Sequence, residues 1–250
     1  MTALVTGASG GLGQMIARQL ADAGHDVAVH YHGNAAGAAE TAGAITASGR
    51  RAHLIQRDLA VTDPTQLDLV CAGLLEEAIQ ALGPLQVVVL NAWRQDVTAW
   101  PDLDTAAWDA MHDSGFRPAA ALVRSAATRL SSGGVIVTIG SIEGLRAAPG
   151  HAAYAVSKAA LHHLTAAAAF ELGPAGIRVV GVAPGLIDRP GLREDWPEGV
   201  RRWARASALG RPVTAAEVAS TVAFLASPAA SGLTGITVPV DAGWSAAPAW

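Results

Sequence analysis

The chain has 250 residues, 51% of them hydrophobic, and a formal net charge of −4 at pH 7. Its length suits one large domain with a sizeable core, and its acidic balance argues against a nucleic-acid or anionic-membrane partner. A single cysteine excludes an intrachain disulfide and is consistent with the cytoplasmic location that we expect, and no apolar run reaches the roughly 18 residues of a membrane-spanning helix.

Short apolar strands alternate with alanine-rich helical stretches along the chain. The predicted strands are 3–6, 26–31, 51–56, 85–91, 134–139, 178–183 and 236–240. The predicted helices are 11–23, 35–48, 63–82, 108–130, 152–172 and 215–225. Pro118 is expected to kink the helix that contains it. Alternation of helices with strands that are apolar on both faces predicts an α/β fold. We expect a single domain over residues 1–250, with a doubly wound parallel sheet and helices on both faces.

One segment, residues 185–211, interrupts this alternation. It is rich in proline, glycine, arginine and tryptophan, and it follows a predicted strand at the carboxyl edge of the sheet, where open α/β folds bind ligands. Long insertions of this kind are often lids over active sites. We therefore expect this segment to be a substrate lid.

The first predicted strand ends in the sequence TGASGGLG, from Thr6 to Gly13, and leads directly into a helix. Glycines let the backbone approach a pyrophosphate, which then contacts the free N–H groups at the helix N-terminus. A tight strand–helix junction without a ligand is the alternative. The run Gly7–Gly11 also matches G-x-S-x-G, the nucleophile elbow of serine hydrolases. That elbow normally follows several earlier strands, so a hydrolase is the less favoured interpretation.

Lys158 is the only lysine in the chain, beside sixteen arginines, and it stands four residues after Tyr154, one of two tyrosines. On a helix this spacing places both side chains on one face, about 5–6 Å apart at Cβ. A cation beside a phenol lowers the pKa of the phenol from about 10, which would make Tyr154 a proton donor or acceptor near neutral pH. An ordinary exposed pair on a surface helix is the alternative that the spacing alone leaves open.

Ser141 lies thirteen residues before Tyr154 and just after a predicted strand. Together with the glycine-rich turn and the Tyr154/Lys158 pair, it makes the chain resemble the short-chain dehydrogenase/reductase family. The resemblance covers essentially the whole chain. Its motifs occur in family order: TGASGGLG at 6–13, RDL at 57–59, LNA at 90–92, Ser141, YAVSK at 154–158, PGLI at 184–187, and LTG to VDAG between 233 and 243. It implies a Rossmann-like fold and NADPH-dependent ketoreductase chemistry.

The resemblance also implies roles for the matching residues. Tyr154 would protonate the substrate oxygen, and Lys158 would bind the nicotinamide ribose and lower the tyrosine pKa. Ser141 would hydrogen-bond the carbonyl and then the developing alkoxide. Asp58 would accept from the adenine amine, unless it only caps a turn, and Asn91 would line the nicotinamide side, unless it only satisfies backbone groups. With His32, discussed below, the expected cofactor-binding residues are Gly7, Ser9, Gly11, Leu12, Gly13, His32, Asp58, Leu59, Asn91, Ala92, Tyr154, Lys158, Pro184, Gly185 and Ile187.

Three positions depart from the family pattern. Gly115 stands where the family has an asparagine that kinks the helix and holds a water of the proton relay. Ser114 or a backbone carbonyl is the expected substitute. Trp93 replaces a glycine beside the cofactor, so the pocket must be built differently there. Arg189 replaces a threonine and is expected either to contact the cofactor diphosphate or to face solvent.

The second predicted strand ends in VHYHGN, residues 29–34, without the acidic residue that would bind the adenosine ribose and repel a 2′-phosphate. His32, Asn34 and Ser9 are available to bind such a phosphate, although no arginine stands in this loop. We therefore expect NADP as the cofactor. His30 and His32 share one face of the strand, but no third ligand has useful spacing, so we expect no metal.

The most favoured function is thus an NADPH-dependent reductase of a ketone. The resemblance places tryptophans 93, 196, 203 and 244 around the pocket mouth and lid. They indicate a bulky aromatic or polyketide-type ketone of secondary metabolism, with core packing as the alternative for each tryptophan. The resemblance also implies a homotetramer. Two other functions stay open: an NAD-dependent alcohol dehydrogenase working in the oxidative direction, and a non-catalytic cofactor-binding protein.

Overall fold

The strands of the computed structural model, which describes residues 1–246, form one parallel sheet of seven strands. In chain order the elements are β1 (Thr2–Val5), α1 (Gly11–Asp22), β2 (Asp26–Tyr31), α2 (Ala35–Ala47), β3 (Ala52–Gln56), α3 (Pro64–Leu82), β4 (Leu85–Leu90), α4 (Thr105–Met111), α5 (Arg117–Ala127), β5 (Val135–Ile139), α6 (Ala152–Leu172), β6 (Arg178–Pro184), β7 (Ile187–Asp188), α7 (Leu192–Asp195), α8 (Pro197–Ala206), β8 (Val213–Thr214), α9 (Ala215–Ala226) and β9 (Thr237–Val240). The strand order is β3-β2-β1-β4-β5-β6-β9, and β7 pairs with β8 apart from the main sheet. The predicted fold class is confirmed, while the last four residues of the predicted domain lie outside the described residues.

Both faces of the sheet are buried. Successive residues of a strand point to opposite sides of the sheet, so each strand contributes side chains to the core on both faces. In β1, Ala3 and Val5 join the hydrophobic cluster that contains residues of α1, α2 and α9. Leu4 joins the cluster on the other face, with residues of α3, α5 and α6. The faces of the sheet are therefore occupied mainly by core side chains, and a ligand site lies at the ends of the strands.

Local capping signals explain where several helices begin. Asn34 and Asp63 accept hydrogen bonds from backbone N–H groups in the first turns of α2 and α3, at 3.0 and 2.8 Å. Thr214 and Glu217 form a reciprocal capping box at the start of α9. Pro64 occupies the first turn of α3, where its missing N–H costs nothing. These helices begin within one residue of the predicted positions.

The predicted helix 108–130 is wrong in its continuity. A π-helical turn over His112–Phe116 separates α4 from α5, and Gly115 is buried within it. Pro118 lies in the first turn of α5, where proline is tolerated. The irregularity therefore precedes the proline and is not a kink centred on it.

Several compositional expectations concern the rest of the molecule. None of the helices in residues 1–246 combines the length and apolar character needed to cross a membrane. No group of three or more His, Cys, Asp or Glu side chains arranged to hold a metal occurs in the same part of the chain. Cys71 is buried in α3, and burial raises the pKa of its thiol to about 12, so it is an unreactive core residue.

Candidate active site

A cavity of about 470 Å³ opens at the carboxyl ends of the central strands. Its walls come from residues that follow β4, β5 and β6, from the start of α6, and from the segment around α7 and α8. The chain after β1 lies between β2 on one side and β4 on the other, which is the point where the strand order reverses. Open α/β sheets bind ligands at this position.

The glycine-rich turn after β1 fits a dinucleotide diphosphate. Gly7 has φ +64°, and a Cβ there would lie 2.9 Å from the Ala92 Cα atom. A Cβ on Gly13 would collide with the Gly7 carbonyl oxygen. The first turn of α1 has no side-chain cap and no acidic residue, so its N–H groups are free to bind an anion. These contacts are those of a tight strand–helix junction, and diphosphate binding at the turn stays a prediction.

Two side chains hold the backbone of the turn, the half-buried Asn91 and the buried His30. Asn91 Nδ2 donates to the carbonyl oxygens of Thr6 and Gly7, at 2.9 and 3.1 Å. The Gly7 N–H donates to His30 Nδ1 at 3.1 Å, and His30 Nε2 lies 3.2 Å from the Arg57 carbonyl oxygen. Burial lowers the pKa of His30 to about 4, so the ring is neutral, with Nδ1 accepting and Nε2 donating. Sequence reasoning missed this role of His30, whose only signal was its place at the end of β2.

The predicted adenosine-side residues form two pairs. His32 Nδ1 lies 3.8 Å from Asp58 Oδ1, and both side chains are largely exposed. Asp58 Oδ1 also accepts from the Ala60 N–H at 2.9 Å and so caps a turn, while its contact with the adenine amine stays a prediction. Asn34 caps α2 and donates through Nδ2 to the Ser9 carbonyl oxygen at 2.9 Å. Leu59 is buried beside them.

The three predicted catalytic side chains line the same cavity. Ser141 follows β5, and its Oγ accepts from the Glu143 N–H at 3.2 Å. Tyr154 and Lys158 lie one turn apart in the first half of α6 and are both buried. Lys158 Nζ donates to the Ile139 carbonyl oxygen at 2.7 Å. The exposed surface pair that the spacing left open is therefore wrong.

The protonation states of this group follow from its burial. Burial raises the pKa of Tyr154 to about 12, a hydrogen bond with Ser141 acts in the opposite direction, and the charge of Glu143 raises it further. Burial also lowers the pKa of Lys158 well below its ordinary value. The expected lowering of the tyrosine pKa by Lys158 is not seen in this arrangement: burial raises that pKa, and Lys158 is not among the groups that shift it.

A carboxylate–histidine pair beside the phenol was missed from the sequence. His151 Nδ1 lies 2.7 Å from Glu143 Oε2, and the side chains are 21% and 20% exposed, so the pair is reached from the cavity that it lines. The His151 ring meets the Tyr154 ring edge-on, with centroids 6.4 Å apart. The only sequence signal was position: Glu143 stands two residues after Ser141, and His151 three before Tyr154.

Two of the three positions that depart from the family pattern, Trp93 and Gly115, are in contact. The Trp93 ring packs over the Lys158 ammonium and against Gly115. Ser114, expected to substitute for the asparagine, donates to the Met111 carbonyl oxygen within its own helix at 3.4 Å. Arg189 lines the cavity and pairs with Asp195 at 2.8 Å.

The remaining walls of the cavity come from the carboxyl end of β6 and the segment after it. Pro184, Gly185 and Ile187 are the predicted cofactor residues of this wall, and Leu12 of α1, Asn91, Tyr154 and Lys158 are the others that line the cavity. Trp196 and Trp203 also line it. Trp203 stacks on Trp244 with ring centroids 5.5 Å apart and planes 3° from parallel.

Comparison with known proteins decides the family. A family model described as enoyl-(acyl carrier protein) reductase matches residues 7–245. A short-chain dehydrogenase from Burkholderia cenocepacia, solved in complex with NADP, is 34% identical with a TM-score of 0.88, over 98% of this chain and 97% of the other. The chain belongs to the short-chain dehydrogenase/reductase family. It is therefore an oxidoreductase of ketone or alcohol substrates that uses a nicotinamide cofactor, and the serine hydrolase interpretation is wrong.

Two further members of this family are similar in sequence. The cis-4-hydroxycyclohexanecarboxylate dehydrogenase of Sinomonas cyclohexanicum is 37% identical, over 98% of this chain and 96% of the relative. The reductase LugOII is described as promiscuous and as catalysing keto-reduction at C1 during lugdunomycin biosynthesis. It is 34% identical with a TM-score of 0.87, over 97% of each chain.

Proposed function

We propose that this protein reduces a bulky aromatic or polyketide-type ketone to an alcohol, with NADPH as the hydride donor. The observation that carries the proposal is the meeting of Ser141, Tyr154 and Lys158 on the wall of one cavity, next to a glycine-rich turn suited to a diphosphate. A non-catalytic cofactor-binding protein has no use for a buried phenol, ammonium and hydroxyl gathered at one point.

In this reaction the nicotinamide, when bound, supplies the hydride. The Ser141 hydroxyl donates a hydrogen bond to the substrate oxygen and continues to stabilise it as negative charge develops. Tyr154 holds its proton at neutral pH, because its pKa is raised to about 12 by burial. It can therefore act as the general acid that protonates that oxygen. Lys158, buried on the next turn of α6, would bind the nicotinamide ribose and favour the phenolate that remains.

The residues that would hold NADP come from three places along the carboxyl edge of the sheet, after β1, β2 and β6. The free N–H groups of α1 suit the diphosphate, and the segment from Pro184 to Ile187 suits the carboxamide. His32 and Ser9 suit a 2′-phosphate, because β2 ends without a carboxylate of its own. The NADP complex of the relative from Burkholderia cenocepacia supports this choice. Asp58 is the counterargument, since a phosphate would compete with this carboxylate for His32.

The substrate class follows from the apolar cover of the cavity. Trp196, Trp203 and Leu192 line it on the side away from the sheet, and large ring faces suit a flat substrate and exclude water. Residues 185–211 would act as its lid within a single domain. The keto-reduction that LugOII catalyses during a biosynthesis supports reduction of a ketone, whereas the Sinomonas relative, a dehydrogenase, favours the oxidative direction of the second candidate, an NAD-dependent alcohol dehydrogenase.

The test is a turnover screen of aromatic and aliphatic ketones with NADPH and NADH, run on wild type and Tyr154→Phe. We expect wild type to prefer NADPH and a bulky ketone, and the variant to lose nearly all turnover while binding NADPH normally. Tyr31→Phe is the matched control, because Tyr31 does not line the cavity and its variant should stay active. Substantial ketone reduction by Tyr154→Phe would contradict the proposal, and faster alcohol oxidation with NAD would favour the second candidate.

A further inference from the structure

The ammonium of Lys158 is enclosed by three groups. Its Nζ donates to the Ile139 carbonyl oxygen at 2.7 Å. It lies 3.6 Å from the centroid of the Trp93 ring and 5.5 Å from that of the Tyr154 ring. The residue is only 2% exposed, and one carbonyl satisfies one of its three donors. A ring face at this distance attracts a cation electrostatically, and the attraction is strongest where water is excluded.

Gly115 makes room for this ring. A Cβ at position 115 would lie 2.7 Å from two carbons of the Trp93 indole and closer still to a third. The π-helical turn of His112–Phe116 brings the backbone of Gly115 to the ring, and the indole occupies the space that a side chain there would fill. Two of the three departures from the family pattern are therefore one exchange: a side chain is lost at position 115 and a larger one is gained at position 93.

No hydrogen bond of its own fixes the orientation of the indole. Trp93 Nε1 is buried and has no hydrogen-bond partner among the described residues. Leaving a buried N–H unpaired is unfavourable, so an interaction of the ring face must offset it. The face meets the Lys158 ammonium, which is the charge that such a face attracts.

We propose that Trp93 is a positioning residue for Lys158: its ring face holds the ammonium against the Ile139 carbonyl and beside Tyr154, and it can do so only because residue 115 is glycine. The proposal rests on the proposed function in one respect, that Lys158 takes part in the reaction.

The other ionisable groups around Lys158 do not replace this contact. Tyr154 and His162 lie on its own helix, and burial, followed by the charge of Lys158, lowers the pKa of His162 to about 4, so His162 is neutral. Glu143 and His151 approach from the segment between β5 and α6, and they pair with each other. No carboxylate of residues 1–246 lies within ion-pair distance of Lys158. The indole is thus the main electrostatic partner of the ammonium apart from one carbonyl.

The contact can be measured directly, because Lys158 is the only lysine. A protein labelled with 13C at lysine Cε gives one side-chain NMR signal, whose position and titration report the ring current and the pKa of Lys158 without cofactor. We expect an upfield signal in wild type and a signal near the random-coil position in Trp93→Leu. Leucine is apolar but has no ring face, so the Lys158 pKa should fall by about one unit, and Trp93→Phe should fall between the two.

Trp100→Leu is the control for these spectra, since Trp100 is 74% exposed and does not line the cavity. It should leave the lysine signal and its titration unchanged. An unshifted wild-type signal, or a Trp93→Leu protein that titrates like wild type, would overturn the proposal.

A double substitution tests the exchange between positions 93 and 115. Gly115→Ala should displace the indole, move the lysine signal as Trp93→Leu does, and lower kcat/KM at least tenfold. In a Trp93→Ala background the same Gly115→Ala change should lower kcat/KM less than twofold, because the indole that would collide with the new methyl group is absent. Gly73→Ala is the matched control, since a Cβ on this helical glycine meets no atom within 4 Å. If Gly115→Ala lowers kcat/KM equally in wild type and in Trp93→Ala, the proposed exchange between the two positions is wrong.

The two proposals fail in different ways. If wild type reduces no ketone but the lysine signal responds to Trp93→Leu, the proposed function fails while the contact stands. If wild type is active and Trp93→Leu moves the lysine signal without lowering kcat/KM, the positioning role is wrong and the proposed function stands.

Discussion

At the scale of single residues, the site consists of buried ionisable side chains whose charges are set by their neighbours. The sequence was sufficient to predict that Tyr154 and Lys158 share a helix face, because that follows from a spacing of four. It could not predict that Lys158 meets Trp93, because this contact needs the π-helical turn to bring Gly115 beside the ring. Nor could it predict the high tyrosine pKa, since burial is a property of the assembled core.

Glu143→Gln should move the pH dependence of catalysis to lower pH. Burial is the main cause of the raised Tyr154 pKa, and the Glu143 charge adds to it, so its removal lowers that pKa. Alcohol oxidation needs the phenolate, and its kcat/KM should therefore begin to rise at a lower pH than in wild type. Ketone reduction needs the phenol and should begin to fall at a lower pH.

Glu171→Gln is the matched control for this charge change, since Glu171 lies near the far end of α6, about 25 Å along the helix from Tyr154. Its pH profile should match wild type. If the pH profile of Glu143→Gln equals that of wild type, or lies at higher pH, the Glu143 charge does not raise the pKa of Tyr154.

At the scale of elements, helix boundaries were the most predictable feature and the lid the least. Capping residues such as Asp63 and Thr214 mark helix starts in the sequence, because a cap depends only on residues within one turn. The segment 185–211 was recognised as an insertion, but its content was not: it holds α7, α8 and β7, and β7 pairs with β8 just beyond it. Strands of two residues have no detectable alternation, so this pairing depends on tertiary packing.

The two tryptophans of the proposed lid should respond differently to truncation. Trp196 lines the cavity and is 48% exposed, so Trp196→Ala should raise KM for bulky ketones and leave the melting temperature nearly unchanged. Trp203 stacks on Trp244, donates to the Arg211 carbonyl oxygen at 3.1 Å and packs on Gly185. Trp203→Ala should therefore cost about 2 kcal/mol of unfolding free energy.

Thermal melts and kinetics with a large and a small ketone separate these effects. Small-ketone turnover by Trp196→Ala should stay close to wild type. A large loss of melting temperature in Trp196→Ala, with equal loss of activity on all ketones, would mean that this residue anchors the segment and is not part of a lid.

At the scale of the whole molecule, strand–helix alternation was enough to predict a doubly wound sheet, because only helices can cover both faces of parallel strands. The strand order needed the structure. It puts the turn after β1 and the strand ends that carry Asn91, Ser141 and Pro184 along one edge. Sequence order alone does not show which strand ends are neighbours in the sheet.

Cofactor preference should depend on His32. Its ring can donate a hydrogen bond to a 2′-phosphate, a group that NADH lacks. NADPH should therefore bind more tightly than NADH, and His32→Ala should weaken this preference. The dissociation constants of both cofactors, in wild type and His32→Ala, check this. An equal preference in both proteins, or tighter NADH binding, would contradict it.

A homotetramer is the expected assembly. Two large apolar side chains on α6, Val156 and Phe170, are 49% and 85% exposed, which suits a helix that packs against a second copy. Light scattering at micromolar concentration should give about four times the chain mass of 25.4 kDa. Phe170→Asp should reduce this mass, and a wild-type monomer would contradict the expectation.

The central claim is that the protein transfers a hydride from NADPH to a ketone while Tyr154 supplies the proton. It is tested most directly with NADPH that carries deuterium at the transferable C4 position, using the best ketone of the screen. We predict that deuterium appears on the carbinol carbon of the product with wild type, and that Tyr154→Phe, although saturated with NADPH, forms essentially none of this product. Labelled alcohol formed equally by both proteins, or by neither across the whole ketone panel, would contradict the account.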